Sequence, residues 1–332
     1  MSQIPGLPSV SVVICSYAEE RWDLLIGAID SLRPQTHSPQ QTIVVVDYNV
    51  ELYKRLIFSV PDVVIVENTG PKGLSGARNT GAGVANAEIV AFLDDDAEAD
   101  PDWLERLAAM YDDDDVLAVG GSVQPAWDAG RPRYFAEELD WIVGCTYHGL
   151  PKVAAEVRNV IGANMSFRAD VLKRVGGFNP ELGRQDAQPL GCEETELCIR
   201  AVIGAPGSRV VYEPAAVVHH HVPRERGTLK YMLARSWSEG ISKARVSRLV
   251  GHKRALGPER RYVRQVLPRA VFAGIRDAVR GNDLAGLGRS AMVMAVLATT
   301  ALGYVRGRRL PPAPAQQETR QPAPDDLWRE VQ

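Results

Sequence analysis

From residue 9 the chain repeats one pattern: a short run of apolar, mostly β-branched residues, a turn, then a stretch whose apolar residues recur every three or four positions. The runs "SVSVVICSY" (9–17), "QTIVVVDY" (41–48), "PDVVIVEN" (61–68) and "EIVAFL" (88–93) read as strands buried on both faces. Between them, "ERWDLLIGAIDSLR" sets Trp22, Leu25, Ile26, Ile29 and Leu32 on one helical face, and "GLSGARNTGAGVANA" predicts another helix. The alternation predicts an α/β fold, a mostly parallel sheet flanked by helices. Ligands of such sheets collect beyond the carboxyl ends of the strands. Asp47 closes the second run and Asp94, Asp95 and Asp96 close the fourth, so these carboxylates are expected on one edge.

After "VLAVGGSVQP" (116–125) the pattern loosens into a Pro- and Gly-containing stretch with Trp127, Tyr134, Phe135, Trp141 and Tyr147. Of these, Trp127, Trp141 and Tyr147 either pack a local core or offer a stacking platform for a ligand. The pattern resumes at "NVIGANMSFRADVLKRVGGF" (159–178), a strand running into a short helix. "CEETELCIRAVIGA" (192–205) follows as a helix and "SRVVYEPAAVVHHHV" (208–222) as a strand. From Gly227 the chain reads as a helical C-terminal extension, and residues 310–332, rich in Pro and Gln, are expected as a disordered tail. The expected units are 1–225, with halves 9–124 and 125–225, then 226–309, then the tail.

Composition adds little to this picture, but charge changes it. The chain is 45% hydrophobic and 24% charged, ordinary for a globular protein. Cys15, Cys145, Cys192 and Cys198 form no CxxC pair, and the N-terminus has no signal-peptide pattern, so a reducing, cytoplasmic setting fits. Residues 1–223 carry 17 basic against 32 acidic side chains, whereas residues 224–309 carry 19 against 5. In the basic part, "PRAVFAGIRDAVRG" (268–281) sets Val271, Phe272, Ile275 and Val279 against Arg269, Arg276 and Arg280. Beyond it, "SAMVMAVLATTALGYV" (290–305) has sixteen residues without a charge, somewhat short of the roughly 20 that a spanning helix needs. Basic amphipathic helices beside a short apolar one suit the headgroup region of an anionic leaflet, here the inner face of the cell membrane. The alternatives are packing on the catalytic body or a homodimer contact. Lipid is expected over nucleic acid as the partner, because these cations interleave with apolar helix faces and not with exposed aromatics on a sheet.

The acidic triplet is the strongest chemical signal. Carboxylate oxygens suit Mg²⁺ or Mn²⁺, which commonly take one or two protein carboxylates plus substrate phosphate. Asp94 and Asp96 at a strand end can divide between a ribose hydroxyl and a metal; the plain alternative is a solvated loop in which Asp100 or Asp102 caps the next helix. "GPKGLSGARNTG" (70–81) supplies glycines that let backbone approach a ligand, and Arg78 to steady a diphosphate. With Asp47 accepting from a base, these residues outline a nucleotide pocket.

"SVVICSYAEERWDLLIGAIDSL", "IVVVD", "GLSGARNTGA", "FLDDD", "GANMSFRADVLKRVGGF", "EETELCIR" and "VHHHVP", in this order, resemble the family 2 glycosyltransferases of GT-A fold, over roughly residues 9–245. The resemblance implies a Rossmann-like GT-A domain over residues 1–225, its 9–124 half binding the nucleotide-sugar and its 125–225 half the acceptor. It implies an inverting transferase that uses a nucleotide-diphospho-sugar, UDP-linked by preference, and a divalent cation, Mn²⁺ or Mg²⁺. Asp94 to Asp96 match the DXD motif. The catalytic base falls on Glu194, with Glu193 as the neighbouring candidate. Nucleotide-sugar contacts are assigned to Ser16, Tyr17, Glu19, Asp47, Gly73, Arg78, Asp94 and Asp95, and the metal to Asp96 and His220. Adjacent strand residues face opposite ways, so His219, His220 and His221 cannot share one site; the family's histidine precedes the "V-P" element, which selects His220.

Two positions depart from the family's usual pattern. Glutamate stands where the second acid is most often aspartate, and Asp47 is followed by "YNV" in place of acidic, small and polar residues. The implied chemistry is in-line attack by an acceptor hydroxyl, on a lipid-linked, polysaccharide or other glycoconjugate acceptor, with a carboxylate taking its proton. A sugar-phosphate nucleotidyltransferase would carry a Gly-rich basic loop directly after the first strand, where "CSYAEERWD" stands. A catalytically silent nucleotide-sugar binder is the remaining alternative, disfavoured by the presence of both acidic motifs.

Overall fold

The computed structural model describes residues 3–183, 191–281 and 284–311. Its strands are β1 (Val10–Ser16), β2 (Gln41–Val46), β3 (Val64–Glu67), β4 (Ile89–Asp94), β5 (Ala97–Ala99), β6 (Val116–Trp127), β7 (Ala155–Val157), β8 (Asn164–Arg168) and β9 (Arg209–Val222). They form one sheet in the order β3-β2-β1-β4-β8-β6-β9-β5, with β7 on β9. The four predicted apolar runs become β1 to β4, all parallel. The other half is mixed: β8 runs antiparallel to both β4 and β6, while β6 and β9 are parallel.

Register places the acidic edge. Cys15 lies opposite Asp94 and Ser16 opposite Val46, so Ser16, Asp47 and Asp94 leave the sheet at the same level. Helices α1 (Trp22–Ser31), α2 (Val50–Ser59), α3 (Leu74–Val84) and α4 (Trp103–Ala109) follow the first strands. Leu25, Ile29 and Leu32 of the predicted face are buried, with Trp22 and Ile26 packed against the same core. Helix α3 lies close on β1 because Gly81 has no side chain: a Cβ there would sit 2.4 Å from Val13 Cγ1.

Asp100 and Asp102 do not cap α4 with their side chains. The Asp100 carboxylate instead meets His219 at 3.0 Å and Asp102 pairs with Arg106 at 2.9 Å. Asp102 gains a charge-assisted contact from Arg106 that outcompetes a neutral cap.

The second half adds α5 (Ala169–Val175) and α6 (Glu193–Gly204). Pairing of β6 with β9 slips between Gly121 and Ser122, where residues 214–216, between paired Glu213 and Val217, bulge out. A bulge bends and twists its strand. Beyond it β9 reaches β5, with His220 opposite Ala97, one residue from Asp96. Trp127 packs edge-on to Phe135 at 5.0 Å in the local core, whereas Trp141 and Tyr147 face a cavity.

The helical extension comprises α7 (Leu229–Val250), α8 (His252–Ala255), α9 (Gly257–Arg261), α10 (Leu267–Gly281) and α11 (Leu284–Arg309). Glycines bring α7 and α11 together: a Cβ on Gly240 would lie 2.2 Å from the Thr300 carbonyl oxygen, and one on Gly303 2.3 Å from that of Trp237. The uncharged run is therefore two-faced. Met292, Val293 and Val296 are buried in protein, while Met294, Leu302 and Val305 are exposed. The expected tail falls almost wholly on residues 312–332, outside the described residues.

Candidate active site

One cavity of about 1400 Å³ opens at the acidic edge. It is lined by Ser16, Tyr17, Asp47, Gly73, Arg78 and the three aspartates from the parallel half, and by Glu193, Glu194 and His220 from the other. Glu19 alone among the residues expected from sequence stays outside: it is exposed in the 3₁₀ turn Glu19–Arg21, and Arg21 enters the cavity in its place.

Each aspartate of the triplet has its own partners. Asp94 accepts from Arg78 Nη2 at 3.2 Å. Asp95 is buried, accepting from Ser16 Oγ at 2.6 Å and from Arg21. Asp96, also buried, meets His220 Nε2 at 3.1 Å, Arg21 Nη2 at 3.0 Å and Arg226 Nη2 at 3.5 Å. Burial raises Asp95 to about 6, with Asp96 adding to the rise and Arg21 opposing it. Burial pushes Asp96 upward too, but His220, Arg21 and Arg226 outweigh it and hold that carboxyl well below the ordinary range. The triplet thus separates into one easily protonated acid and one firmly ionised one.

Ligating atoms of Asp94, Asp96 and His220 all lie within 4.8 Å of one another. Two hard oxygens and an imidazole at that spacing fit a divalent cation of the Mn²⁺ or Mg²⁺ type, with the remaining positions left to substrate oxygens. The strand geometry selects His220: its neighbours turn away, His219 to Asp100 and His221 to Asp128.

Asp47 and the Gly-rich turn form a unit. The Asp47 carboxylate accepts from Asn68 Nδ2 at 2.6 Å and from the Gly73 N–H at 3.0 Å. Gly73 has φ 117°, and Tyr48 stands in the left-handed region at φ 53° with its hydroxyl donating to Gly70 O. Asp47 therefore shapes the loop from within the cavity wall.

Arg78 is buried among carboxylates and carbonyls. It donates to Glu193 Oε1 at 2.8 Å, to Asp94 and to Gly162 O at 3.1 Å. Glu193 is buried in that pair, so its charge is committed. Glu194, half-buried at the start of α6, accepts from Thr195 Oγ1 at 3.2 Å, and no cation pairs with it among the described residues. Burial, helped by the negative charges of Glu193 and Glu239, raises Glu194 to about 8. A carboxyl of that basicity facing a cavity has the properties of a general base near neutral pH. The backbone that presents it begins at Cys192, which is in the left-handed region at φ 72°.

Sequence reading missed Arg21 and Arg226. Their signal was indirect: three adjacent carboxylates at a buried strand end require nearby cations, and "EER" and "PRER" stand directly beyond the strands that border them.

The family model for glycosyl transferase family 2 matches residues 11–176. A glucosyl-dolichyl phosphate glucuronosyltransferase of Haloferax volcanii is 34% identical over 306 residues, covering 91% of this chain and 97% of that protein. The mannosyltransferase PcManGT of Pyrobaculum calidifontis, solved with GDP-Man and Mn²⁺, superposes with a TM-score of 0.57 at 18% identity over 91% of this chain and 88% of its own. GalNAc-T7, solved with UDP, GalNAc and Mn²⁺, gives a TM-score of 0.54 at 16% identity, covering 91% of this chain and 57% of that one. The protein is thus a glycosyltransferase of GT-A fold. It belongs to glycosyl transferase family 2.

Proposed function

We propose that the protein transfers a sugar, with inversion, from a nucleotide-diphospho-sugar, UDP-linked by preference, to a hydroxyl of an acceptor sugar carried on a lipid phosphate. The observation that carries this reading is the placement of Glu194, free of any cation partner among the described residues, in the cavity that also contains Asp94, Asp96 and His220. The ion pair of Glu193 with Arg78 supports Glu194 over Glu193 as the base. Glu194 takes the proton of the attacking hydroxyl as the new bond forms on the face opposite the leaving diphosphate. A divalent cation held by Asp94, Asp96 and His220 would neutralise charge on that diphosphate. Ser16 and Arg21 hold Asp95, and Arg226 holds Asp96, so the acidic edge is rigid before substrate arrives. The lipid-carried acceptor rests on the relative from Haloferax volcanii, whose name gives it a dolichyl phosphate-linked sugar as substrate.

The exposed faces of α10 and α11 support work at a membrane surface. Phe272, Ile275, Val279, Met294 and Leu302 are exposed beside Arg269, Arg276, Arg280, Arg306 and Arg308. Such a face suits an anionic leaflet, the cytoplasmic one. Helix α11, with a mean hydropathy of 1.4 over its most apolar window, is also long and apolar enough to span a bilayer by length and composition, but its inner face is occupied by α7. A thermal-shift panel of nucleotide-sugars with Mn²⁺ or Mg²⁺ tests the donor half, because a ligand of the folded state raises Tm by mass action. If no nucleotide-sugar raises Tm with either cation, the donor assignment fails.

A further inference from the structure

The active-site cavity is larger than one ligand requires. Its roughly 1400 Å³ exceeds the range of about 300–1,000 Å³ usual for a small-molecule site. It continues past Glu194 between α7 and the turn before α10, then along α11 to an open mouth at exposed Ala301 and Val305. Two features of that extension have no part in donor chemistry.

The first is a cluster of charges. Glu239 of α7 pairs with Arg235 at 2.8 Å and with Lys243 at 3.1 Å. Lys243 also reaches Glu259 at 2.7 Å, and Glu259 pairs with Arg158 at 2.7 Å. All five side chains line the cavity. Arg158, Arg235 and Lys243 against Glu239 and Glu259 leave one positive charge in excess, in a place mostly shielded from water. An uncompensated charge there is costly, and an anion of the right shape removes the cost. Two of the three cations are arginines, whose planar fork suits phosphate oxygens. Burial pushes the Glu239 carboxyl up, but Lys243 and Arg235 outweigh it and hold the group at about 2, so the cluster keeps this charge at neutral pH.

The second feature is an apolar wall. Leu297, Ala301 and Val305 line the cavity at helical spacing, and Val263 and Val266 face it from the preceding turn. From Leu297 to Val305 the wall runs for about 12 Å at helical rise. It ends beside exposed Leu302 of α11.

We infer that this extension is the acceptor's lipid-phosphate subsite: Arg158, Arg235 and Lys243 receive the phosphate, and the wall of Leu297, Ala301, Val305, Val263 and Val266 receives the first isoprenoid units. The inference rests on the lipid-carried acceptor proposed above and assigns it to residues. The phosphate then lies on the α7 side of Glu194, while the remaining chain leaves toward exposed Leu302 of α11. The acceptor sugar, at the end of the phosphate, is left next to the Glu194 carboxylate.

Titration calorimetry of the full chain with farnesyl phosphate, farnesol and inorganic phosphate tests this assignment. Farnesyl phosphate is expected to bind at least tenfold more tightly than either of the other two. Leu297→Trp, which fills the wall, is expected to weaken farnesyl phosphate at least tenfold while UDP with Mn²⁺ binds as in the wild type, which also reports that the variant is folded. Lys243→Met is expected to remove most of the preference for farnesyl phosphate over farnesol. Farnesyl phosphate binding no tighter than inorganic phosphate, or no tighter than farnesol, overturns the assignment, as does its unchanged affinity in Leu297→Trp. A wild type that binds farnesyl phosphate but no UDP with Mn²⁺ sinks the donor reading and leaves this subsite standing; the reverse result sinks only the subsite.

Discussion

At the donor edge, three successive aspartates are met by cations from three distant points of the chain: Arg21 after the first strand, Arg78 on α3 and Arg226 after the last strand. In the helical third the imbalance is reversed, with 19 basic against 5 acidic side chains over residues 224–309. There the acids Glu239, buried, and Glu259, half-buried, pair with cations around the cavity, whereas Arg264, Arg269, Arg276, Arg280, Arg306, Arg308 and Arg309 are exposed. The acidic edge is balanced inside the protein, ready for a small cation and a diphosphate. The helical third leaves its positive charge outward beside apolar side chains, the arrangement on which the proposed membrane contact rests. One chain thus divides into two regions that differ in the sign of their charge and in whether that charge is paired internally.

The comparison can be broken most sharply at the base. Glu194→Gln is expected to lower kcat by about 10² to 10⁴-fold, with donor affinity within about twofold of wild type; near-native turnover together with an inactive Glu193→Gln would move the base by one residue. Breaking the internal balance comes next. Arg78→Met leaves Glu193 buried without its partner, an expected loss of about 3–5 kcal/mol in urea denaturation. A loss under about 1 kcal/mol would show that water reaches this pair. Asp96→Ala is expected to abolish the Mn²⁺-dependent part of donor binding, a drop on the order of 100-fold in calorimetry, whereas unchanged metal dependence would remove Asp96 from the cation site.

Smaller effects sharpen the contrast. Because Glu194 must be ionised to accept a proton, kcat/KM is expected to climb with pH through about 8. The stability linkage has the opposite direction. A carboxyl raised from 4.5 to about 8 contributes stability below 4.5 that is lost as pH rises through about 8, and Glu194→Gln should flatten that slope. On the docking side, Phe272→Asp with Val279→Asp should cut binding to anionic vesicles by roughly tenfold in sedimentation, leaving donor affinity unchanged. Equal binding of the wild type to anionic and neutral vesicles would end the electrostatic part of the membrane reading.

What the sequence by itself determined was local and periodic. Three of the four apolar runs, β1, β2 and β4, are buried strands as their continuity predicts, whereas β3 at the sheet edge leaves Val64 exposed and Ile65 and Val66 half-buried. The strand ends gather Asp47 and Asp94 to Asp96 on one edge because parallel strands end together. The alternation of strand side chains showed that His219, His220 and His221 cannot share one site, and the family resemblance pointed to His220, which the fold places on Asp96. Tertiary structure alone decided the partners. That Glu193 is spent on Arg78 while Glu194 faces the cavity without a cation, that Glu19 turns outward and Arg21 inward, and that Asp100 serves His219 and not a helix cap all depend on contacts between residues 70 to 120 positions apart, or on one local turn. The same holds for α11, whose uncharged run is compatible with lipid or core until the glycines of α7 and α11 assign one face to each. Periodicity records which side of an element is apolar. Which charges meet across the fold depends on loop paths and on the bulge in β9, and those leave no repeating trace in the chain.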